Sequence, residues 1–146
     1  MRDDLASALG LLPQRQYARM QDKLGAQLEC AGKKLAARET VIRVADGLTK
    51  SFLPVLFVLT DERLIIVSGS LSASLEVVTH ELSEITEVVV YPIDQVTIGK
   101  LFGSHPRHNN IFIGAVRAGA RFFISEDSDI QFEAALRARV QGNPAV

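Results

Sequence analysis

The chain has 146 residues, 47% of them hydrophobic, which is enough to fill a core without disulfides or a structural metal. Its 16 Lys and Arg nearly balance 17 Asp and Glu, and a net charge of −1 argues against a dedicated nucleic-acid binder. The lone Cys30 can form no intrachain disulfide and suits a reducing cytoplasm, and no run approaches the roughly 18 apolar residues of a membrane span. The opening Met1-Arg2-Asp3-Asp4 leads into no signal-peptide pattern, so a soluble, cytoplasmic chain is expected.

Residues 1–38 are predicted to be helical. Asp4 to Leu9 has acidic residues at its start and apolar residues four apart, before Gly10 and Pro13 interrupt it. A longer helix is expected from about Gln14 to Arg38. Tyr17, Met20, Leu24 and Leu28 recur along one face of it, with Leu35 beyond, and Arg15, Arg19, Asp22, Gln27 and Lys33 form the opposite face. Gly25 weakens the continuity of that helix by about 1 kcal/mol relative to Ala. The apolar face is a candidate interaction surface, either for its own domain or for a partner helix.

From Glu39 the pattern becomes that of strands, so the chain divides into a helical segment, 1–38, and a β-rich domain, 39–146. Val41, Ile42 and Val44 form a short run that the turn dipeptide Asp46-Gly47 should end. Pro54–Thr60 and Arg63–Ser68 flank Asp61-Glu62 as a β-hairpin. Neither central residue is Gly or Asn, so a type I turn or a slightly longer loop is expected. Val55 to Leu59 and Leu64 to Val67 are apolar without alternation, which predicts strands covered on both faces. The cover would be the Tyr17/Met20/Leu24/Leu28 helix or another protomer. Leu75 to Leu82 reads as an exposed strand and Ile85 to Tyr91 as another, closed by Pro92. A last hairpin spans Asn110 to Val116 and Ala120 to Ile124. The final helix is placed at residues 127–141, with Ser128 and Gln131 as a capping box and Phe132, Ala135, Leu136 and Val140 as its buried stripe.

Residues that could carry chemistry are sparse. Three His and one Cys make no nucleophile–base signature, and Gly99, Gly103 and Gly114 make no phosphate-binding loop. Glu84 and Glu87 read as solvated carboxylates. His105-Pro106-Arg107-His108 has an H-x-x-H spacing, but no further ligand lies nearby in sequence to complete a zinc site. No catalytic residue, metal or cofactor is therefore assigned. Lys100, His105, Arg107 and His108 form a basic cluster in a long loop between Pro92 and Asn109. Charge is segregated. Glu76, Glu81, Glu84, Glu87 and Asp94 precede Lys100, Arg107, Arg117 and Arg121, as in a protomer whose acidic edge meets a neighbour's basic edge.

The hairpin Leu59-Thr60-Asp61-Glu62-Arg63-Leu64-Ile65-Ile66-Val67 resembles that of the bacterial pleckstrin-homology-like domains, the YokE-like type in particular. Glu81 to Val88, the strands ending in Phe122-Phe123-Ile124, and the helix carrying Phe132 and Leu136 support the resemblance, which covers roughly residues 39–141. It implies a mainly β fold: a seven-stranded antiparallel sandwich or partly open barrel capped by a C-terminal helix. It implies binding platforms rather than enzymes, often homo-oligomeric. Phosphoinositide-binding members of the superfamily cluster Lys and Arg in the first two strands and their loop. Here only Arg43 and Lys50 lie there, among Gly47, Thr49 and Ser51, so phosphoinositide binding is not expected.

The expectation from sequence is a non-enzymatic binding or assembly module acting on a protein partner or a second copy of itself. One alternative is peripheral membrane or anionic-ligand binding through Lys100, Arg107 and Arg117. The other is an enzyme of unknown type.

Overall fold

The computed structural model describes residues 1–69, 74–92, 108–116 and 119–141. Strands β2 (Pro54–Thr60) and β3 (Arg63–Ser68) form the expected hairpin, with Leu59 opposite Leu64. The Thr60 hydroxyl closes its turn by accepting the Glu62 and Arg63 amides at 3.1 and 3.0 Å. Asp61 and Glu62 both keep negative φ, as the absence of Gly and Asn requires.

Five further strands complete one antiparallel sheet: β1 (Val41–Leu48), β4 (Glu76–Glu81), β5 (Ile85–Pro92), β6 (His108–Ala115) and β7 (Ala120–Ser125). Their order is β4-β3-β2-β1-β7-β6-β5, and a single 3-10 turn, Leu82–Glu84, joins β4 to β5. The two meanders meet where Gly47 and Leu48 of β1 pair with Ile124 and Phe123 of β7. Asp46-Gly47 is thus not a turn, contrary to the sequence expectation. The strand runs on to Leu48, and the chain reverses over Thr49–Leu53. Glycine is needed at this seam because a Cβ on Gly47 would lie 2.0 Å from the Phe123 carbonyl oxygen.

The sheet folds over so that both halves turn their inner faces to one core. Val55, Phe57 and Leu59, Leu64 and Ile66, Val88, Ile111, Ile113 and Ile124 all point into it. Phe57 meets the Phe122 ring edge-on at 5.4 Å and the Phe132 ring at 5.9 Å. Helix α4 (Glu126–Gln141) brings Phe132 and Leu136 into this core, both fully buried. It follows β7 without a loop, so Ser128 lies within its first turn and not at its cap.

The intervening residues of β2 and β3 point the other way. Leu56, Val58, Ile65 and Val67 are buried beneath the N-terminal helices of the same chain, α1 (Asp3–Gly10), α2 (Gln14–Lys23) and α3 (Gly25–Lys34). Leu5, Leu9, Met20, Leu24, Leu28 and Ala31 supply the cover. The continuous helix expected from Gln14 to Arg38 is instead broken at Leu24, whose φ of −120° and ψ of 22° leave the helical range, and it ends at Lys34. The break lets both segments lie on one sheet. Two residues expected to face solvent are drawn in as a result. Gln27 is buried and donates to the Gly69 carbonyl at 2.9 Å, and Arg19 pairs with Asp46.

Candidate functional site

The outer face of the sheet has two parts, and the strand register defines their border. Asp46, Ser125 and His108 lie side by side across β1, β7 and β6, pointing to the helical side. Helix α2 seals this row. Arg19 donates to both Asp46 oxygens, at 2.9 and 3.1 Å, and to the Ser125 hydroxyl at 3.0 Å, while Gln16 Nε2 donates to Asp46 at 3.0 Å. Gln16 Oε1 is buried with no hydrogen-bond partner among the described residues.

At the other border of the covered part, Glu39 sits with its side chain fully buried between α3 and the hairpin. Arg63 grips both of its oxygens, at 2.8 and 2.9 Å, Thr60 donates at 2.7 Å, and the Ala36 amide donates at 3.0 Å. Burial by itself would raise the Glu39 carboxyl, but the Arg63, Thr60 and Ala36 donors outweigh it and hold the group below its ordinary range. Asp4 is lowered in the same way. Its burial is outweighed by the Val41 amide at 2.8 Å and by Arg2. Arg2 also donates to the backbone carbonyls of Ala36 and Glu39. These groups fasten the helices to the sheet.

Beyond the Asp46 row no helix among the described residues lies on the outer face of β5, β6 and β7. Tyr91, Asn110, Phe123 and Leu48 form one cross-strand row on this outer face, and Val89, Phe112 and Arg121 form the next. The β1–β2 connection folds over the first row. The Thr49 hydroxyl accepts the Ser51 and Leu53 amides at 3.2 and 3.0 Å, and the Phe52 amide donates to the Thr49 carbonyl. This loop holds Phe52 at φ 66°, a left-handed conformation that a residue with Cβ adopts at a cost of roughly 1–2 kcal/mol. The Phe52 ring consequently lies parallel to Phe123, with 5.7 Å between centroids. Lys50 Nζ stands 4.1 Å from the Phe123 ring centre and donates to Asn110 Oδ1 at 2.7 Å. The Arg121 guanidinium lies 5.5 Å from the Phe112 ring centre. Burial, and then the Arg121 charge, push the Lys50 ammonium below its ordinary range. Phe52, Leu53 and Tyr91 remain 41%, 39% and 39% exposed.

The residues singled out from sequence fall differently. Met20, Leu24 and Leu28 are buried on the sheet and Tyr17 is half-buried, its hydroxyl accepting from Gln21 at 2.8 Å. Lys100, His105, Arg107 and Arg117 lie outside the described residues. His108, expected in the loop, opens β6 and is buried. Among the described residues no three His, Cys, Asp or Glu side chains gather to hold a metal ion. No described helix is long and apolar enough to cross a membrane. An apolar cleft of about 590 Å³ opens between α1 and α3, lined by Met1, Leu5, Gly25, Leu28 and Gly32. A polar one of about 710 Å³ mixes Arg38 and Arg139 with Asp61, Glu62 and Glu81. Sequence reasoning missed the Phe52–Phe123–Lys50 cluster. A usable signal was present: Phe52-Leu53 are two large apolar residues closing a polar loop just before Pro54.

No protein-family model and no curated protein matches the chain. Among solved structures it is similar to the pleckstrin homology domain from Shewanella amazonensis SB2B, a crystal structure at 1.99 Å resolution. The likeness covers 82% of this chain and 99% of that one, with a TM-score of 0.55 and 12% identity. The fold is pleckstrin-homology-like. At this identity the comparison shows architecture alone.

Proposed function

We propose that this PH-like chain is a non-enzymatic, cytoplasmic binding module of the YokE-like type, and that the uncovered outer face of β5–β7 is its recognition surface for a protein partner. One observation carries the reading. The N-terminal helices bury the outer face of β2 and β3, yet stop at the Asp46 row and leave Phe52, Leu53 and Tyr91 exposed beside Lys50 and Arg121. Exposed aromatic residues near an arginine are the composition that protein interfaces favour. The PH-like fold and the near-neutral charge support a module that needs neither cofactor nor nucleic acid. Self-association is part of the proposal. The apolar face of β2–β3 is spent on the chain's own helices, so a second copy would have to use β5–β7 or the acidic residues of β4 and β5.

Site-specific photo-crosslinking tests this in cells that produce the protein naturally. A photoreactive residue at Tyr91 or Phe52 is expected to capture protein, its own copy included, and one at Ala18 on the exposed side of α2 is not. Capture from Ala18 with none from Tyr91 or Phe52 would overturn the assignment.

A further inference from the structure

We infer that the Lys50–Arg121 face binds an extended protein segment in which a carboxylate side chain stands next to a large apolar one. The inference rests on the reading of β5–β7 as the recognition surface and names what that surface takes.

This face carries unmatched positive charge. Arg2, Arg19 and Arg63 each grip a carboxylate, at 3.0, 2.9 and 2.8 Å. Lys50 and Arg121 have no carboxylate partner among the described residues. Lys50 donates to a neutral amide, and Arg121 lies against an aromatic ring. Both cations stand on one face, because Phe123 beneath Lys50 and Arg121 are two residues apart on β7, about 7 Å along the strand. Two like charges so placed repel, and an anion between them removes the repulsion. An ammonium has three donors and Asn110 uses one, so Lys50 keeps capacity for an incoming oxygen. The Arg121 guanidinium lies 5.5 Å from the Phe112 ring centre, and its fork of donors matches the geometry of a carboxylate.

The rest of the face selects the company of that carboxylate. Phe52, Leu53 and Tyr91 expose apolar surface on the Lys50 side of the site. Phe52 is clamped flat on Phe123 by its left-handed backbone and the Thr49 hydroxyl bonds, so it forms a ledge rather than a protruding probe. A ledge suits an aromatic or aliphatic side chain laid along it. It does not suit insertion into lipid. Adsorption to an anionic membrane gains only about 1 kcal/mol per cation. The described face has two cations, and it also carries the exposed carboxylate of Glu87 opposite Gly114. An isologous contact between two copies of this face would set Lys50 and Arg121 against themselves. The charge of this face therefore points to a segment with acidic residues.

The test uses the full chain labelled with nitrogen-15. It is titrated with the peptide Gly-Asp-Phe-Glu-Leu-Gly, with its counterpart bearing Lys in place of both acids, with inorganic phosphate, and with phosphatidylglycerol vesicles. The acidic peptide is expected to shift the amide signals of Lys50, Phe112, Arg121 and Phe123 saturably, and the Lys peptide is not. Lys50→Gln and Arg121→Gln should each weaken binding about tenfold, the effect of one charged hydrogen bond, with unchanged melting temperature. Equal binding of both peptides, or shifts confined to the helices, would overturn the inference. Vesicle or phosphate binding that needs Lys50 and Arg121, with no peptide binding, would overturn the segment and leave the recognition face standing. Loss of the Tyr91 crosslink would remove the face itself.

Discussion

One sheet presents two outer surfaces that meet along the Asp46–Ser125–His108 row. On the β1–β3 side, outward positions carry Leu56, Val58, Ile65 and Val67, all buried under helices. On the β5–β7 side they carry Glu87, Tyr91, Asn110, Phe112, Arg121 and Phe123, with no helix above them among the described residues. The inner faces of the two halves are alike, so the difference comes from the outward residues alone. Aliphatic side chains have no polar end and must be removed from water, whereas Tyr, Arg and Lys can shield an apolar surface and keep their heads solvated. The aliphatic half therefore requires an accessory element, and the polar and aromatic half can meet water directly.

The largest effect that sharpens this comparison is removal of the cover. Deleting residues 1–38 should expose the aliphatic outer face of β2 and β3 and give aggregated or oligomeric protein by light scattering. A truncated chain that stays monomeric with an unchanged melt would show that the two halves do not differ as described. Next is the fastening. Arg63→Ala leaves Glu39 buried without its cation and should cost about 3–5 kcal/mol in denaturant unfolding. A loss under about 1 kcal/mol would mean that Glu39 reaches water.

A third, smaller effect is pH dependence. Glu39 and Asp4 both have carboxyls lowered in the folded state. A lowered carboxyl contributes stability that is fully present above its unfolded value and is lost as pH falls through the folded one. Acidification through and below the ordinary carboxylate range should therefore loosen the helical cover first. Glu39→Gln should flatten the slope of stability against pH over that range, and an unchanged slope would exclude Glu39 as its source. The smallest effect is expected on the open half. Tyr91→Ser should change stability by no more than about 0.5 kcal/mol. A loss of several kcal/mol would show that this face, too, is structural.

The fold was largely legible because its signals are local. The hairpin follows from two β-rich runs around Asp61-Glu62, the doubled cover follows from their missing alternation, and the closing helix follows from the Phe132/Leu136 stripe. What failed was set by distant residues. Asp46-Gly47 has the composition of a turn, but Phe123, far along the chain, needs a residue without Cβ at that point. The Gln14–Arg38 periodicity continues through Leu24, and only docking on a sheet bends it there. Arg19, Gln27 and Glu39 look like solvent-facing residues until Asp46, Gly69 and Arg63 are placed beside them. The candidate site was hidden for the same reason. Tyr91, Phe112 and Phe123 each look like ordinary strand residues, and only the register puts them on one face with Lys50.

The seam between β1 and β7 also has a kinetic consequence. Each meander is built from strands that are neighbours in sequence, so its pairings close at smaller separations than the seam. The pairing of Gly47 with Ile124 joins adjacent central strands whose positions are far apart in the sequence, and the entropy of that closure must be met before Phe57 can pack on Phe122. The two hairpin arrays are therefore expected to collapse early and wait for one late zippering event. Gly47→Ala, which obstructs that event, should slow refolding in stopped-flow experiments as well as lower the final stability.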